Sequence, residues 1–257
     1  MDDFIRTFWN NQAHTYKESS SASWQDIFAI ELEQSQLTKI IAKSGKYILD
    51  AGCANGFAVF EQAFIHKDKN FMGIDFAEEM INHAESKKAK LNDDIKKRIE
   101  FKCADIRKLP FPDGKFDATL TTRTLINLPN WTQQQNAILE LARVTKKGGL
   151  IALSEAFYEP LVKLNAIRLI AGLEPLVEHD FNRYLKYGKL ISFLNDQGFR
   201  HSTIRFSSTY YLGTRVLREL VTKDSSYESN FNRHFFQLAK EFEGGDFGIQ
   251  KLVILER

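Results

Sequence analysis

The sequence predicts an α/β fold in which a parallel sheet is covered by helices on both faces. Short apolar runs typical of buried strands alternate along the chain with segments whose apolar residues recur at helical spacing. The first three runs end at or near an acid, which is Asp50, Asp75 and Asp105 in turn. Because the carboxyl ends of parallel strands meet at one edge of a sheet, these acids should lie together. A chain of 257 residues can form such a fold as one domain, residues 1–257.

The first predicted strand, residues 47–49, leads into a turn that contains Gly52 and Gly56, and a helix follows. Glycine lets the backbone turn sharply and lets a ligand lie against it, while Asp50 ends the strand at the opening. Taken alone, such a turn also fits an ordinary connection between a strand and a helix.

The second predicted strand, residues 71–74, ends at Asp75. This acid lies roughly 20 residues beyond the glycine turn, where dinucleotide-binding folds place the carboxylate that binds ribose hydroxyls. Residues 99–103 form a third strand candidate that ends near Asp105. The spacing therefore predicts a nucleotide-type cofactor at this edge of the sheet.

The later elements continue the alternation. Strands are predicted at 116–121, 150–154, 201–206 and 249–255, and helices at 132–147 and 188–196, with Gly148-Gly149 ending the first of these helices. Residues 46–155 would form the cofactor-binding core. Two insertions, 156–187 and 207–247, break the rhythm, and we expect them to form a cap that recognises the substrate.

Residues 1–45 have helical character. Ser23 and Asp26 have the spacing of a capping box, and apolar residues then recur at helical intervals as far as Ile41. Tyr16 and Trp24 are placed where they could cover a bound cofactor. The segment therefore fits two interpretations, a strap packed on the body of the domain or a lid over the ligand.

The composition argues against several classes of partner. A formal net charge of +2 gives no general attraction to nucleic acid, and the lysine-rich run at 85–98 is typical of a solvated helix face. Cys53 and Cys103 lack Cys-x-x-Cys spacing and predict reduced thiols in a cytoplasmic protein. The six histidines lack metal-ligand spacing, so we expect no metal site. The acidic start is unlike a secretory signal, and the apolar runs are too short to span a membrane.

The stretch Asp50-Ala51-Gly52-Cys53-Ala54-Asn55-Gly56 resembles the acid-x-Gly-x-Gly-x-Gly turn of class I S-adenosylmethionine-dependent methyltransferases. Ala54 replaces the middle glycine, and alanine does not easily adopt a positive φ. The resemblance covers residues 47–154 closely and the whole chain in outline. It implies a Rossmann-like, seven-stranded, mostly parallel sheet with an antiparallel last strand. It also implies S-adenosylmethionine as cofactor and S-adenosylhomocysteine as product.

The resemblance implies a set of cofactor-binding residues. Asp75 matches the family's ribose-binding acid, and the segment around Asp105 matches the place where the adenine amino group is bound. The segment that follows the fourth strand touches cofactor and substrate in the family. The implied set is Tyr16, Asp50, Gly52, Cys53, Ala54, Gly56, Asp75, Phe76, Ala104, Asp105, Ile106 and Thr122. Many relatives carry a histidine near Asn127, and its absence here removes one acid/base candidate.

Scattered positions in the two insertions, among them Arg168 and Asn182, resemble methyltransferases of bacterial surface-polysaccharide clusters. The acceptor would then be an oxygen of a sugar, an activated sugar or a phosphoramidate, and it could be anionic. Methyl transfer is an in-line displacement, so positioning supplies much of the catalysis and an ionised acceptor needs no base.

The candidate catalytic and substrate-binding residues lie mostly in these insertions. The catalytic candidates are His179, Arg183 and Tyr184, and the substrate-binding candidates are Arg123, Tyr210, Tyr211, Arg215 and Arg233. Each also has a simpler interpretation: an exposed loop histidine, arginines paired with acids, or tyrosines packed in the core.

Other functions remain open at this point. A dehydrogenase would share the ribose-binding acid, but it would explain neither Asp105 nor the Phe116-Asp117 opening of the fourth strand. An RNA methyltransferase and a non-catalytic cofactor-binding subunit are the alternatives to a small-molecule methyltransferase. The oligomeric state is open as well.

Overall fold

The computed structural model describes residues 2–257, so the first residue of the predicted N-terminal segment lies outside the described residues. The helices are α1 (Asp2–Tyr16), α2 (Ile27–Lys43), α3 (Phe57–Ile65), α4 (Glu78–Ala89), α5 (Asp93–Lys96), α6 (Trp131–Val144), α7 (Tyr158–Ile170), α8 (Tyr187–Asp196), α9 (Ser208–Leu212), α10 (Arg218–Val221) and α11 (Asn230–Glu241). A π-helical turn, Gly213–Leu217, joins α9 to α10. Within residues 2–257, no helix combines the length and the apolar character needed to cross a membrane.

The strands are β1 (Tyr47–Ala51), β2 (Asn70–Asp75), β3 (Ile99–Cys103), β4 (Phe116–Thr122), β5 (Thr145–Ala156), β6 (Arg200–Arg205) and β7 (Gln250–Glu256). They form one seven-stranded sheet in the order β3-β2-β1-β4-β5-β7-β6. Strands β1 to β5 pair in parallel, and β7 is antiparallel to both of its neighbours. The prediction of a mostly parallel sheet with an antiparallel last strand is confirmed.

Both faces of the sheet are covered, which explains why the strands read as continuous apolar runs. In β1, Ile48 joins the apolar cluster that includes α2 and α3, whereas Leu49 joins the opposite cluster that includes α6. Both side chains are fully buried. The carboxyl ends of β1, β2 and β4 therefore open on one edge with packed helices on either side.

The fifth strand differs from its prediction. Helix α6 ends at Val144 and β5 begins at Thr145, so Gly148 and Gly149 lie inside the strand and do not end the helix. A Cβ on Gly149 would lie 2.8 Å from the carbonyl oxygen of Asp117, where the register between β4 and β5 shifts. The sequence shows that a glycine is permissive, but it does not show whether a helix end or a strand irregularity uses that freedom.

Helix α2 also begins later than the predicted capping box, because Asp26 itself is its N-cap. The Asp26 carboxylate is fully buried. Its Oδ1 accepts hydrogen bonds from the Ala29 N–H at 3.2 Å and from the Tyr210 hydroxyl at 2.7 Å, and its Oδ2 pairs with the Arg215 guanidinium. This single carboxylate therefore ties the N-terminal segment to the second insertion.

The two insertions are tied to each other by a second ion pair. Arg168 on α7 makes two hydrogen bonds of 3.0 Å to the carboxylate of Glu219 on α10. The bidentate geometry fixes the guanidinium plane as well as its position. The first insertion is thus held against the second on the same side of the sheet edge.

We expect Asp26→Ala to lower the free energy of unfolding by about 3–5 kcal/mol, because it leaves the buried Arg215 charge without its carboxylate and removes a helix cap. Urea denaturation would measure the change. The double variant Asp26→Ala with Arg215→Met should recover part of the loss, since the orphaned charge is gone. A loss below about 1 kcal/mol for Asp26→Ala would contradict this account.

Candidate functional site

A cavity of about 690 Å³ lies at the carboxyl ends of β1, β2 and β4. The turn after β1 and the ends of β2 and β3 form one wall. Helix α1, the segment after β4 and the two insertions form the rest. The cavity therefore lies between the sheet edge that carries the predicted cofactor residues and the segments predicted to recognise the substrate.

The turn after β1 is held in left-handed backbone geometry at Gly52 (φ 92°), Ala54 (φ 48°) and Gly56 (φ 76°). The Gly52 N–H donates to the carbonyl oxygen of Ile74 at 2.8 Å, and the Ala54 N–H donates to Asp75 Oδ2 at 2.8 Å. Ala54 thus adopts the conformation that its side chain disfavours. The hydrogen bond to Asp75 holds the Ala54 backbone in this conformation.

Asp75 ends β2 at the cavity wall. Its Oδ1 accepts the Ala77 N–H at 2.8 Å, and its Oδ2 accepts that of Ala54. Burial raises the pKa of Asp75, although these backbone N–H groups act in the opposite direction. Each carboxylate oxygen has a further lone pair, so Asp75 can accept hydrogen bonds from a ligand's hydroxyl groups while it holds the turn.

Asp50 lies under the turn. It is 5% exposed, and its Oδ1 has no hydrogen-bond partner among the described residues. Burial raises the pKa of Asp50 to about 7, helped by the charges of Asp75 and Glu33 and opposed by that of Arg123. Buried acids therefore outnumber the cation in this region, and the site favours a ligand with positive charge.

Asp105 occupies the cavity wall after β3, between the apolar side chains of Ala104 and Ile106. Its carboxylate forms a salt bridge with Arg107 at 2.6 Å and also accepts the Arg107 backbone N–H at 2.8 Å. Burial alone would raise the pKa of Asp105, but the hydrogen bonds and charge of Arg107 hold it below its ordinary value. The predicted adenine segment thus offers two apolar side chains and a carboxylate fixed by its neighbour.

The end of β4 and the segment that follows it contribute Thr122, Arg123 and Asn127 to the wall. Arg123 has a φ of 52°, its guanidinium pairs with the fully buried Glu33, and its charge lies 4.9 Å from the centroid of the Trp24 ring. Thr122 Oγ1 and Asn127 Oδ1 are buried with no hydrogen-bond partner within residues 2–257. The segment therefore offers the cavity neutral polar groups, while its one cation is already compensated.

Glu155 fixes the backbone of this segment from below. It is fully buried, and its carboxylate accepts hydrogen bonds from the N–H groups of Leu125 and Thr124, both at 3.1 Å, and of Ile126 at 3.4 Å. Burial raises the pKa of Glu155 to about 7, although these N–H groups lower it. One buried carboxyl group at the end of β5 thus holds the wall that follows β4.

An aromatic group closes the cavity on the side of α1. The His179 ring lies 5.4 Å from Phe8 and 4.5 Å from Phe181, and Phe181 lies 6.2 Å from Trp9, measured between ring centroids. All of these side chains line the cavity. Helix α1 therefore meets the first insertion over the site, and His179 belongs to that contact.

Tyrosines of the insertions form the remaining wall. Tyr184, Tyr211 and Tyr227 line the cavity. Burial, with the charge of Glu178, raises the pKa of Tyr184 to about 12. The Arg215 guanidinium lies 5.2 Å from the ring centroid of Tyr211 and 5.3 Å from that of Tyr227. Arg215 is thus placed behind the wall, where it supports two of its rings.

Several other predicted residues lie outside the wall, on the cofactor side. Cys53 is a buried free thiol whose pKa is raised by burial, and Cys103 is an exposed free thiol. Gly56 is the N-cap of α3, and a Cβ there would lie 2.6 Å from the Phe101 ring. The Tyr16 hydroxyl accepts a hydrogen bond from Gln25 at 2.6 Å, and its ring packs near Ala54.

On the substrate side, the predicted arginines and Tyr210 have protein partners. The Arg183 guanidinium donates to the carbonyl oxygens of Asn182 at 2.6 Å and Asp180 at 3.0 Å. Tyr210 is fully buried and is bonded to Asp26. Arg233 is exposed on α11, 5.5 Å from the Phe28 ring centroid. These side chains brace the site or lie on the surface, and the cavity is lined by others.

Sequence reasoning missed Glu33, the acid that pairs with Arg123. Glu33 lies three positions after Ile30 and four before Leu37, so it falls on the apolar face of α2. An acid at such a position signals a buried partner, because an unpaired buried carboxylate is costly. Phe181 and Tyr227 were also missed, and single aromatics in irregular segments carry no comparable signal.

The chain resembles known methyltransferases in sequence. Residues 48–149 match a family described as "Methyltransferase domain". The chain is 29% identical to 27-O-demethylrifamycin SV methyltransferase of Amycolatopsis mediterranei, with 62% of this chain and 56% of that protein covered. It is 33% identical to demethylmenaquinone methyltransferase of Lactococcus lactis, with 46% and 45% covered. The chain thus spans about half the length of these curated relatives.

A solved structure extends the likeness in fold to the whole chain. Geranyl diphosphate C-methyltransferase from Streptomyces coelicolor, in complex with Mg²⁺, geranyl diphosphate and S-adenosylhomocysteine, superposes with a TM-score of 0.61. The match covers 100% of this chain and 98% of that one at 12% sequence identity. The segments outside residues 48–149 therefore share the neighbour's overall fold.

We expect Ala54→Gly to raise the free energy of unfolding by about 0.5–1 kcal/mol, because glycine adopts the left-handed backbone without the Cβ penalty. Thermal and urea denaturation would measure the gain. The matched control is Ala142→Gly, in the interior of α6 and 7% exposed, which should be destabilised by at least about 1 kcal/mol. Equal losses in both variants would contradict the assigned strain.

We expect stability to fall between pH 5 and 8, and Glu155→Gln to flatten that fall. The folded pKa of Glu155, about 7, lies above the ordinary glutamate value of 4.5, so its stabilising contribution is full below pH 4.5 and is lost as pH rises through 7. The shift corresponds to about 3 kcal/mol. Urea denaturation at several pH values would measure both slopes. Asp50 titrates in the same direction, so some slope should remain, and identical slopes would refute the assignment.

Proposed function

Because residues 48–149 form a class I S-adenosylmethionine-dependent methyltransferase domain, we propose that this chain transfers a methyl group from S-adenosylmethionine to an oxygen of a small, uncharged organic acceptor. The observation that carries the proposal is that one cavity runs from the acids at the sheet edge to the tyrosines of the insertions. One cavity with two chemically different walls suits two reactants that must meet.

The residues at the sheet edge fit the family's cofactor. S-adenosylmethionine carries positive charge on its sulfonium and its ammonium group, and Glu33, Asp50 and Asp75 give this region an excess of acid. Asp75 retains lone pairs that can accept hydrogen bonds from ribose hydroxyls. Asp50 Oδ1 has no hydrogen-bond partner among the described residues, so it can also accept one from the ligand. Ala104 and Ile106 offer apolar contact for the adenine ring.

When bound, the cofactor supplies an electrophilic methyl group for in-line displacement. The chain's own contribution is to hold the acceptor in line and to exclude water, and the aromatic group of Phe8, Trp9 and Phe181 serves that exclusion. Among the catalytic candidates, Tyr184 keeps its proton at neutral pH because its pKa is about 12, so it can donate a hydrogen bond to the acceptor. His179 is the candidate that can take the acceptor's proton.

The charges around the cavity favour a neutral acceptor over the anionic one that the sequence allowed. Arg123 pairs with Glu33, Arg107 with Asp105, and Arg215 with Asp26. A cation already bound to a carboxylate offers little net charge to an anion. The narrower expectation of a sugar-containing acceptor stays a prediction, and the tyrosine wall suits its uncharged forms. The two relatives described above are likewise named for small-molecule acceptors.

Two alternatives are separated by simple measurements. An RNA methyltransferase should retain RNA at low salt, and the net charge of +2 gives little basis for that. A non-catalytic cofactor-binding subunit should copurify with a stoichiometric partner and should show no turnover alone. Methylation of a small acceptor by the isolated chain would exclude the second alternative.

We expect Asp75→Ala to abolish detectable binding of S-adenosylhomocysteine, because the variant loses the ribose acceptor and the group that holds the Ala54 turn. Isothermal titration calorimetry would measure the affinity, with thermal denaturation to confirm folding. Glu100→Ala, an exposed acid on β3, is the control and should bind like the wild type. Absence of both heat and thermal shift for the wild-type protein would refute the proposed function.

A further inference from the structure

Gln250 is a buried amide in the cavity wall that has no hydrogen-bond partner within residues 2–257. It begins β7, opposite Ala156 of β5, and is 2% exposed. Both side-chain atoms, Oε1 and Nε2, are buried without a hydrogen-bond partner in the described part of the chain. Since neither atom has a partner, exchanging the assigned positions of the nitrogen and the oxygen would leave the amide equally unpartnered.

The backbone at this position is held in the sheet, and burial of the side chain limits where the amide can turn. The carbonyl oxygen of Gln250 accepts a hydrogen bond from Ser207 Oγ at 2.9 Å, and the residue pairs with β5 in the sheet. Burying an amide without partners destabilises a folded protein by about 1–3 kcal/mol. Native proteins seldom keep such a group unless a ligand or a water molecule forms hydrogen bonds with it.

The other residues of the cavity wall indicate what kind of ligand could form hydrogen bonds with the Gln250 amide. Tyr184, Tyr211 and Tyr227 line the same cavity, as do Thr122 and Asn127, which also carry unpartnered polar atoms. These five side chains are phenols, an alcohol and an amide, and the carboxyl groups of Glu178 and Asp180 also line the cavity, which disfavours an anionic ligand. An amide offers a donor and an acceptor side by side, and its complement is a ligand that presents the same pair.

We propose that Gln250 recognises the acceptor molecule through a pair of hydrogen bonds. The acceptor would be uncharged and would carry two adjacent hydroxyl groups, as a vicinal diol on an aromatic or a sugar ring does. One hydroxyl donates to Oε1 and the other accepts from Nε2, and the tyrosines pack against the ring. This inference rests on the proposed function and deepens it by assigning the acceptor's side of the cavity.

The test compares wild type with Gln250→Met, which keeps the side-chain length and removes both polar ends. We expect the melting temperature of the ligand-free variant to rise by about 2–4 °C, because an unsatisfied buried amide is gone. With S-adenosylhomocysteine present, the variant should bind catechol or methyl α-glucoside at least about tenfold more weakly than wild type. Ligand-observed NMR titration would measure these affinities, and resorcinol, whose hydroxyls are not adjacent, should bind both proteins alike.

Gln62→Met is the matched control. Gln62 is 3% exposed, but its amide has partners: Nε2 donates to the Gln34 side-chain oxygen at 3.1 Å and to the Thr38 hydroxyl at 2.9 Å. Its variant should therefore melt at a lower temperature and bind the diols like wild type. The inference is overturned if Gln250→Met also melts lower, if wild type binds neither diol, or if both proteins bind them equally.

The two levels of the proposal fail in different ways. If the proposed function is wrong, the wild-type protein will not bind S-adenosylhomocysteine. Failure of the Gln250 assignment would leave that binding intact in wild type and in Gln250→Met, while the diol affinities and the melting temperatures depart from those expected.

Discussion

The buried carboxylate of Asp26 joins the parts of the chain that enclose the cavity. It caps α2, accepts the Tyr210 hydroxyl and pairs with Arg215, which lies behind Tyr211. A buried ion pair of this kind adds little net stability over an apolar packing, but it is strongly selective for one arrangement, because any other arrangement leaves a charge unpaired. The N-terminal segment and the second insertion therefore have one way of meeting, and the tyrosine wall depends on it.

Charge is distributed unevenly in the cavity, and this unevenness separates its two ends. Under the glycine turn, buried acids outnumber the single arginine, so the pKa of Asp50 is raised to about 7 by burial and by its neighbours. Toward the insertions, the arginines are paired, and the wall carries amides, hydroxyls and rings together with the carboxyl groups of Glu178 and Asp180. This division fits the cationic cofactor and the neutral acceptor that we propose, and the aromatic contact between α1 and the first insertion would help to exclude water between them.

The mostly parallel sheet and the acids at one of its edges followed from the sequence because the signals are local. A buried strand, a glycine turn and an acid at the next strand end occur within a short span, and each restricts the backbone directly. Ala54 is the instructive exception. Residue preference argued against a positive φ there, and the structure shows φ 48° because the Ala54 N–H bonds to Asp75. A tertiary contact outweighed a local preference of about 1–2 kcal/mol.

The sequence by itself determined the fold class, the turn after β1 and the acids at its edge. Only the tertiary structure decided which charged groups form ion pairs with each other inside the protein. Arg123 meets Glu33 across 90 positions and Arg215 meets Asp26 across 189, and no spacing rule connects residues so far apart. The same holds for Gln250, whose amide is notable only because the folded chain buries it without supplying a partner. Local patterns fix elements, whereas the pairing or isolation of a polar group depends on everything that packs around it.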